Sequence, residues 1–163
     1  MRGTELDDLD VAILRALNAH PRAGVLELSR LTTLARATVQ SRMTKLEEAG
    51  VITGYGPDVD LFAAGFPVHA LVSLQIAQGA LDDVRDHLLT LPGVIEAYST
   101  TGDSDVLCRV AARDNAELQQ LLIDLNHSGF ITRSTSVVVL SVVVPPRTMP
   151  LLASHAKSLK WGD

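Results

Sequence analysis

One cysteine, Cys108, stands in a chain of 163 residues. It cannot close an internal disulfide, which fits a reducing cytoplasm better than an oxidising compartment. No apolar run approaches the ~18 to 20 residues needed to cross a bilayer. Met1-Arg2-Gly3-Thr4-Glu5 has no apolar stretch behind it, so no secretory signal and no membrane partner are expected. The histidines (His20, His69, His87, His127 and His155) lack i, i+4 or paired-cysteine spacing, so neither a metal nor another cofactor is expected. Net positive charge is missing as well: 14 Lys and Arg against 19 Asp and Glu leave −5, which taken whole argues against nucleic acid. Hydrophobic residues, by contrast, make up 47% of the chain. That fills a real core, in one domain or two small ones.

The deficit of positive charge is unevenly placed. Residues 1–55 hold seven basic and seven acidic side chains, whereas residues 56–163 hold seven against twelve and so carry the whole −5. Within residues 22–50 the balance turns basic, with Arg22, Arg30, Arg36, Arg42 and Lys45 against Glu27, Glu47 and Glu48. These cations fall on two short segments of helical apolar period joined by Leu31-Thr32-Thr33-Leu34. Two short helices with a tight connector, the second showing polar and basic side chains, are what reads the major groove of double-stranded DNA.

Before that pair, Leu6, Leu9, Ile13, Leu14 and Leu17 recur at helical spacing, with Asp7 and Asp8 available as caps and His20-Pro21 as the stop. The second helix is expected over about 25–31, with Val25, Leu28 and Leu31 on one side. The third is expected over about 35–49, ended by Gly50. At ~100° per residue, Val39, Met43 and Leu46 share its inner face. Thr38, Ser41 and Lys45 then lie on the far side, with Arg42 at the margin. Gly54, Gly56, Pro57, Gly65 and Pro67 punctuate a hinge over 56–67, with at most a short strand.

Beyond the hinge the period changes. Val68, Ala70, Val72, Leu74 and Ile76 alternate as a strand, and 81–91 is helical up to the stop at Leu91-Pro92-Gly93. Strands follow over 94–101 and 105–111 around Gly102-Asp103-Ser104, then a helix over 115–126 and a long strand over 132–144. The order β-α-β-β-α-β is ferredoxin-like, an antiparallel sheet with both helices on one face. The last strand is apolar on both faces, so the uncovered face is expected to be buried against a second copy, in an obligate dimer. Domains are therefore expected at 1–55 and 68–145, with a tail over 146–163 that adds a short helix at about 151–159.

At this point the chain resembles the Lrp/AsnC (feast/famine) family of transcriptional regulators over nearly all of residues 6–144. The resemblance rests on Leu9-Asp10 with Ile13-Leu14, on Leu34-Ala35-Arg36-Ala37-Thr38-Val39 with Arg42 and Leu46-Glu47, and on Gly50-Val51-Ile52-Thr53-Gly54-Tyr55. Leu91-Pro92-Gly93-Val94 and Thr101-Gly102-Asp103-Ser104-Asp105 extend it into the second half. It implies an α+β protein: a winged helix-turn-helix domain followed by a ferredoxin-like βαββαβ effector (RAM) domain. The family usually carries Gly-Leu-Ser where this chain has Thr33-Leu34-Ala35, and Ala35 offers no capping hydroxyl unless Thr33 substitutes. An aromatic is common in the effector loop where Ser104 stands.

For DNA, the functional reading places Thr38, Gln40, Ser41 and Lys45 near base edges and Arg36 and Arg42 on phosphate or guanine, with Arg22 and Arg30 on the backbone. The plain alternative is a solvated helix face. The Asp103-Ser104-Asp105 turn has three readings: a metal or acid/base pair, a tight turn that satisfies its own backbone, or the amino-acid site that the family implies. In the last, N–H groups near Gly102 take the carboxylate and Asp103 or Asp105 the ammonium, with Thr101, Ser104, Ser134, Thr135 and Ser136 completing the pocket.

The resemblance also implies a cytoplasmic protein whose dimers assemble further, often to octamers, under control of a small amino acid or related metabolite. The rival is a siroheme-decarboxylase-like enzyme, or a metabolite-binding module without DNA, on the same fold, and His69 is its candidate residue.

Overall fold

The computed structural model describes residues 5–155. They form two compact units, one of residues 5–57 with 145–155 and one of Asp58–Val144.

The first unit begins with α1 (Asp8–Ala19). Asp7 rather than Asp8 caps it, its Oδ1 accepting from the Leu9 and Asp10 N–H groups at 3.0 Å, while Asp10 Oδ2 accepts from the Asp7 N–H in return. Next come α2 (Val25–Thr32) and α3 (Arg36–Glu48). Ile13, Leu28, Val39 and Met43 meet in one core, as the helical spacing required. One expected core position fails: Leu31 is 44% exposed, and Thr32 is buried in its place. Thr32 tolerates burial because its hydroxyl donates to the Leu28 carbonyl at 2.7 Å. The first unit has no strand among its described residues, so those residues do not form the expected wing. The tail instead forms α6 (Met149–His155), which packs on α1. Of the helix expected over 151–159, the part beyond residue 155 lies outside the described residues.

The second unit is built from β1 (Val68–Ile76), α4 (Leu81–Leu89), β2 (Val94–Ser99), β3 (Val106–Ala112), α5 (Asn115–Asn126) and β4 (Ile131–Val138). The antiparallel sheet has the order β2-β3-β1-β4. Ala70, Val72, Leu74, Val106, Cys108 and Val110 point to the helices and pack on Val84, Leu88, Leu118 and Leu125. Burial alone pushes the Cys108 thiol up to about 11, so it is an inert core residue. The register sends Leu71, Leu107, Arg109, Glu96, Tyr98, Thr135 and Val137 to the face that no helix covers.

The last strand is shorter than expected. The hydrogen bond from the Val139 N–H to the His69 carbonyl closes the ladder, because β1 starts at Val68, after Pro67. The apolar residues that follow have no partner strand among the described residues, and Leu140 and Val143 are 97% and 90% exposed.

Gly93 explains one of the sequence motifs. A Cβ there would lie 2.6 Å from Leu121 Cδ2 and 3.1 Å from the Ala111 carbonyl oxygen. Gly93→Ala must therefore displace a core side chain. We expect a loss of about 1–3 kcal/mol, read as a lower urea midpoint with an unchanged m-value.

Candidate DNA interface and effector turn

In the helical unit, Ser29 Oγ donates to the Leu34 carbonyl at 2.6 Å and fixes the connector between α2 and α3. The connector is tighter than the sequence suggested, because α2 runs on through Thr32. Thr33 takes the left-handed turn at φ 58°, a conformation that suits glycine and strains a β-branched residue. Nor does Thr33 replace the missing cap: Ala35 is the N-cap of α3, and no side chain accepts from the first-turn N–H groups. The local strain and the lost cap can both be relieved. Thr33→Gly combined with Ala35→Ser is expected to raise stability by about 1.5–2 kcal/mol, the relief of a left-handed β-carbon plus a new N-cap less the entropy cost of glycine. A calorimetric melt would show it, and an unchanged or lower midpoint would refute the strain.

Of the eight residues expected at DNA, six remain uncommitted. Arg22, Arg30, Arg36, Gln40 and Ser41 are exposed and Thr38 is half-buried, and none bonds to another side chain among the described residues. Arg42 and Lys45 are placed differently. Arg42 Nη1 donates to Asp10 Oδ1 at 3.0 Å and also pairs with Asp7, and Lys45 Nζ lies 3.6 Å from Asp10 Oδ2. Asp10 is fully buried, and a buried carboxylate draws in whatever cations can reach it. Arg42 therefore ties α3 to the start of α1 through Nη1. The hydrogen bonds to Asp7 and then Asp10 raise the Arg42 pKa, and Arg42 in turn holds the Asp7 carboxyl below its usual range. At the far end of α3, Tyr55 donates to Glu47 Oε1 at 2.5 Å. Burial and then that carboxylate push the phenol up to about 12.

In the sheet unit the 101–105 turn joins β2 to β3 at the C-terminal end of β1. Asp105 is not free there: its Oδ2 accepts from the Ile76 N–H at 2.9 Å, where the β1–β4 register shifts. Thr100 Oγ1 donates to the Ser104 carbonyl at 2.8 Å. Gln75 Nε2 donates to the Asp103 carbonyl at 2.8 Å. Asp103 is exposed, and its carboxylate makes no bond among the described residues. Gly102 has φ 111°, which only glycine adopts freely.

The Ser134-Thr135-Ser136 triplet is split by the pleat. Ser134 and Ser136 pair with Leu74 and Val72 on the helix side, whereas Thr135 pairs with Ser73 on the open face. A single pocket in one chain cannot take all three. Sequence reasoning missed Gln75, which sits beside the turn. Its alternation marked only a face, and nothing local disclosed the reach to Asp103.

No group of three or more His, Cys, Asp or Glu side chains among the described residues is arranged to hold a metal. His69 Nε2 lies 2.9 Å from the Phe66 carbonyl oxygen, a local contact. Among the described residues, no helix is long and apolar enough to cross a membrane.

Comparison with known proteins agrees with this architecture. Residues 6–47 match the AsnC-type helix-turn-helix domain and residues 69–149 the Lrp/AsnC ligand binding domain. The chain is 34% identical over 141 residues to the HTH-type transcriptional regulator Rv2324 of Mycobacterium tuberculosis, covering 85% of this chain and 95% of that protein. It is similar to the structure of E. coli AsnC, with a TM-score of 0.83 at 28% identity, covering 90% of this chain and 100% of that one. It shares its fold with a transcriptional regulator of Neisseria meningitidis solved in complex with L-Met, with a TM-score of 0.79 at 23% identity, covering 95% and 96% of the two chains. The chain belongs to the Lrp/AsnC family and is a transcriptional regulator of that type, with an AsnC-type helix-turn-helix domain and a ligand-binding domain.

Proposed function

We propose that this protein is a cytoplasmic, sequence-specific DNA-binding regulator, not an enzyme, whose assembly and operator binding respond to an amino acid or a related small metabolite. The observation that carries the reading is the two-sidedness of α3. Val39, Met43 and Leu46 are buried, while Arg36, Gln40 and Ser41 stand exposed on the same helix with no partner among the described residues. Gln40 and Ser41 are suited to base edges, with Thr38 at the margin, and Arg22, Arg30 and Arg36 to phosphate.

The dimer follows from the open sheet face. Leu71 and Val137 are exposed there, and the apolar residues after β4, Leu140 and Val142 to Val144, are exposed in the same unit. Soluble monomers rarely leave so large an apolar patch wet. Two copies joined there place two recognition helices about 34 Å apart, one turn of B-form DNA. Further association to an octamer gives the effector an assembly equilibrium to bias, with a leverage of about 1–3 kcal/mol. The effector seat is the 101–105 turn. Asp103 takes the ammonium in preference to the committed Asp105, N–H groups near Gly102 take the carboxylate, and Thr101 and Ser104 flank them. The Neisseria protein's L-Met supports an amino acid as the ligand class.

The test compares binding to the protein's own upstream DNA with binding to a shuffled duplex. Gln40→Ala with Ser41→Ala should reduce the preference by about 1–3 kcal/mol per lost base contact while non-specific binding persists. Equal affinity of the wild type for both duplexes would defeat the reading. For the effector, thermal shifts with the twenty amino acids should single out a stabilising ligand whose shift Asp103→Ala abolishes.

A further inference from the structure

The sheet unit contains a second cavity, away from the 101–105 turn, where the hinge segment meets the sheet. Its volume is ≈ 450 Å³, with Leu61, Phe66, Pro92 and Ile95 among its apolar walls and Glu117 and Asp124 of α5 at its polar side. The wall from the hinge is built in advance. Asp60 Oδ1 accepts from the Phe62 and Ala63 N–H groups at 2.9 and 3.2 Å, and the Phe66 N–H donates to the Leu61 carbonyl at 2.8 Å. Gly65, at φ 97°, allows that closure. A preformed apolar cavity of this size with a few polar groups suits a small organic molecule.

The charges around it decide which kind. No Lys, Arg or His lines the cavity. Glu117 is already neutralised by Arg113, whose backbone N–H and Nε both donate to it. Asp124 is not: Gln120 Nε2 donates to its Oδ1 at 2.8 Å, and its second oxygen has no partner among the described residues. The larger groove between α4 and β2, ≈ 530 Å³, offers no such group, because its Arg85 is paired with Asp82 and its Glu96 with Arg109 and Tyr98.

From this we infer a second ligand site, selective for an apolar monoamine: the ammonium sits on Asp124 and the hydrocarbon body lies between Phe66, Ile95 and the Leu121 floor. A free amino acid fits poorly, because its carboxylate would face the unpaired oxygen of Asp124. The one nearby cation, Arg113, is already taken by Glu117 and is not among the cavity's lining residues. Bound amine also contacts Leu61 and Phe66, and so steadies the segment that leads in from the DNA-binding unit.

Calorimetric titration of the full-length protein with phenethylamine, phenylalanine and 3-phenylpropanoate tests this. Phenethylamine should bind, phenylalanine at least tenfold more weakly, and the acid not at all. Asp124→Asn, which keeps the shape and the Gln120 contact, should weaken the amine at least tenfold. Phe66→Ala, on the exposed wall, should weaken it too. Asp103→Ala should leave it unchanged, which separates this site from the effector turn. Absence of phenethylamine binding, equal binding of amine and acid, or indifference to Asp124→Asn would overturn the inference.

Discussion

Operator affinity is expected to fall by about a thousandfold when monovalent salt rises from about 50 to about 200 mM. Arg22, Arg30 and Arg36 have no carboxylate partner among the described residues, so each is free to displace a counterion from phosphate. In a dimer that makes roughly six phosphate contacts, and at about −0.9 per contact the log–log slope is about −5. Arg36→Ala should make the slope shallower by about two per dimer and weaken specific and shuffled duplexes alike. Replacing all three arginines should bring it close to zero. Fluorescence anisotropy at four salt concentrations measures this directly. A slope unaffected by the triple substitution would mean that the cations contact something other than DNA.

Arg42→Ala is expected to act on the fold instead, destabilising the helical unit by roughly 3 kcal/mol. Asp10 is 0% exposed, and without Arg42 its carboxylate keeps, among the described residues, only Lys45 Nζ at 3.6 Å and the Asp7 N–H at 3.3 Å. A buried carboxylate stripped of its main partner bears most of its desolvation cost. Replacing both partners with apolar residues, Asp10→Leu with Arg42→Met, should restore much of the loss.

The effect also depends on pH. The Arg42 guanidinium holds the Asp7 pKa below its unfolded value. Its contribution is therefore complete above about pH 4 and is lost as pH falls through the lower native value. Urea melts should show the gap between wild type and variant narrow by the Asp7 share over that acid range. Should Arg42→Ala prove nearly neutral in stability while making the salt slope shallower, Arg42 would be a phosphate contact after all.

The contrast between these two predictions shows how far the chain could be read without coordinates. Periodicity placed α1, α2 and α3 of the first unit and the βαββαβ order of the second, because apolar spacing of 3.6 or 2 is a local property. α5 came out at the expected residues, and β1 spans the alternation that marked it. Asp7 was visible as one of two cap candidates, but its reciprocal bond with Asp10 and the burial of Asp10 were not. That depends on Arg42 and Lys45, more than thirty residues away, turning toward it. Leu31 was misplaced for a related reason: an eight-residue helix has too few turns to fix its inward face, and Thr32 competes by satisfying its own hydroxyl. The 101–105 turn was legible from its glycine and its acids. The different surroundings of its two aspartates were not, since Asp105 is engaged by a backbone N–H of another strand.

Charge distribution, helical and strand periods and the order of the family motifs are written along the chain, and they settled the two-domain architecture and the regulator class before any coordinates. Which cations of the helical unit have carboxylate partners, where β4 ends, and which face each serine of β4 presents were decided only in three dimensions. Each depends on a partner distant in sequence: a buried carboxylate, a neighbouring strand that begins after a proline, and a pleat whose register is set by β1.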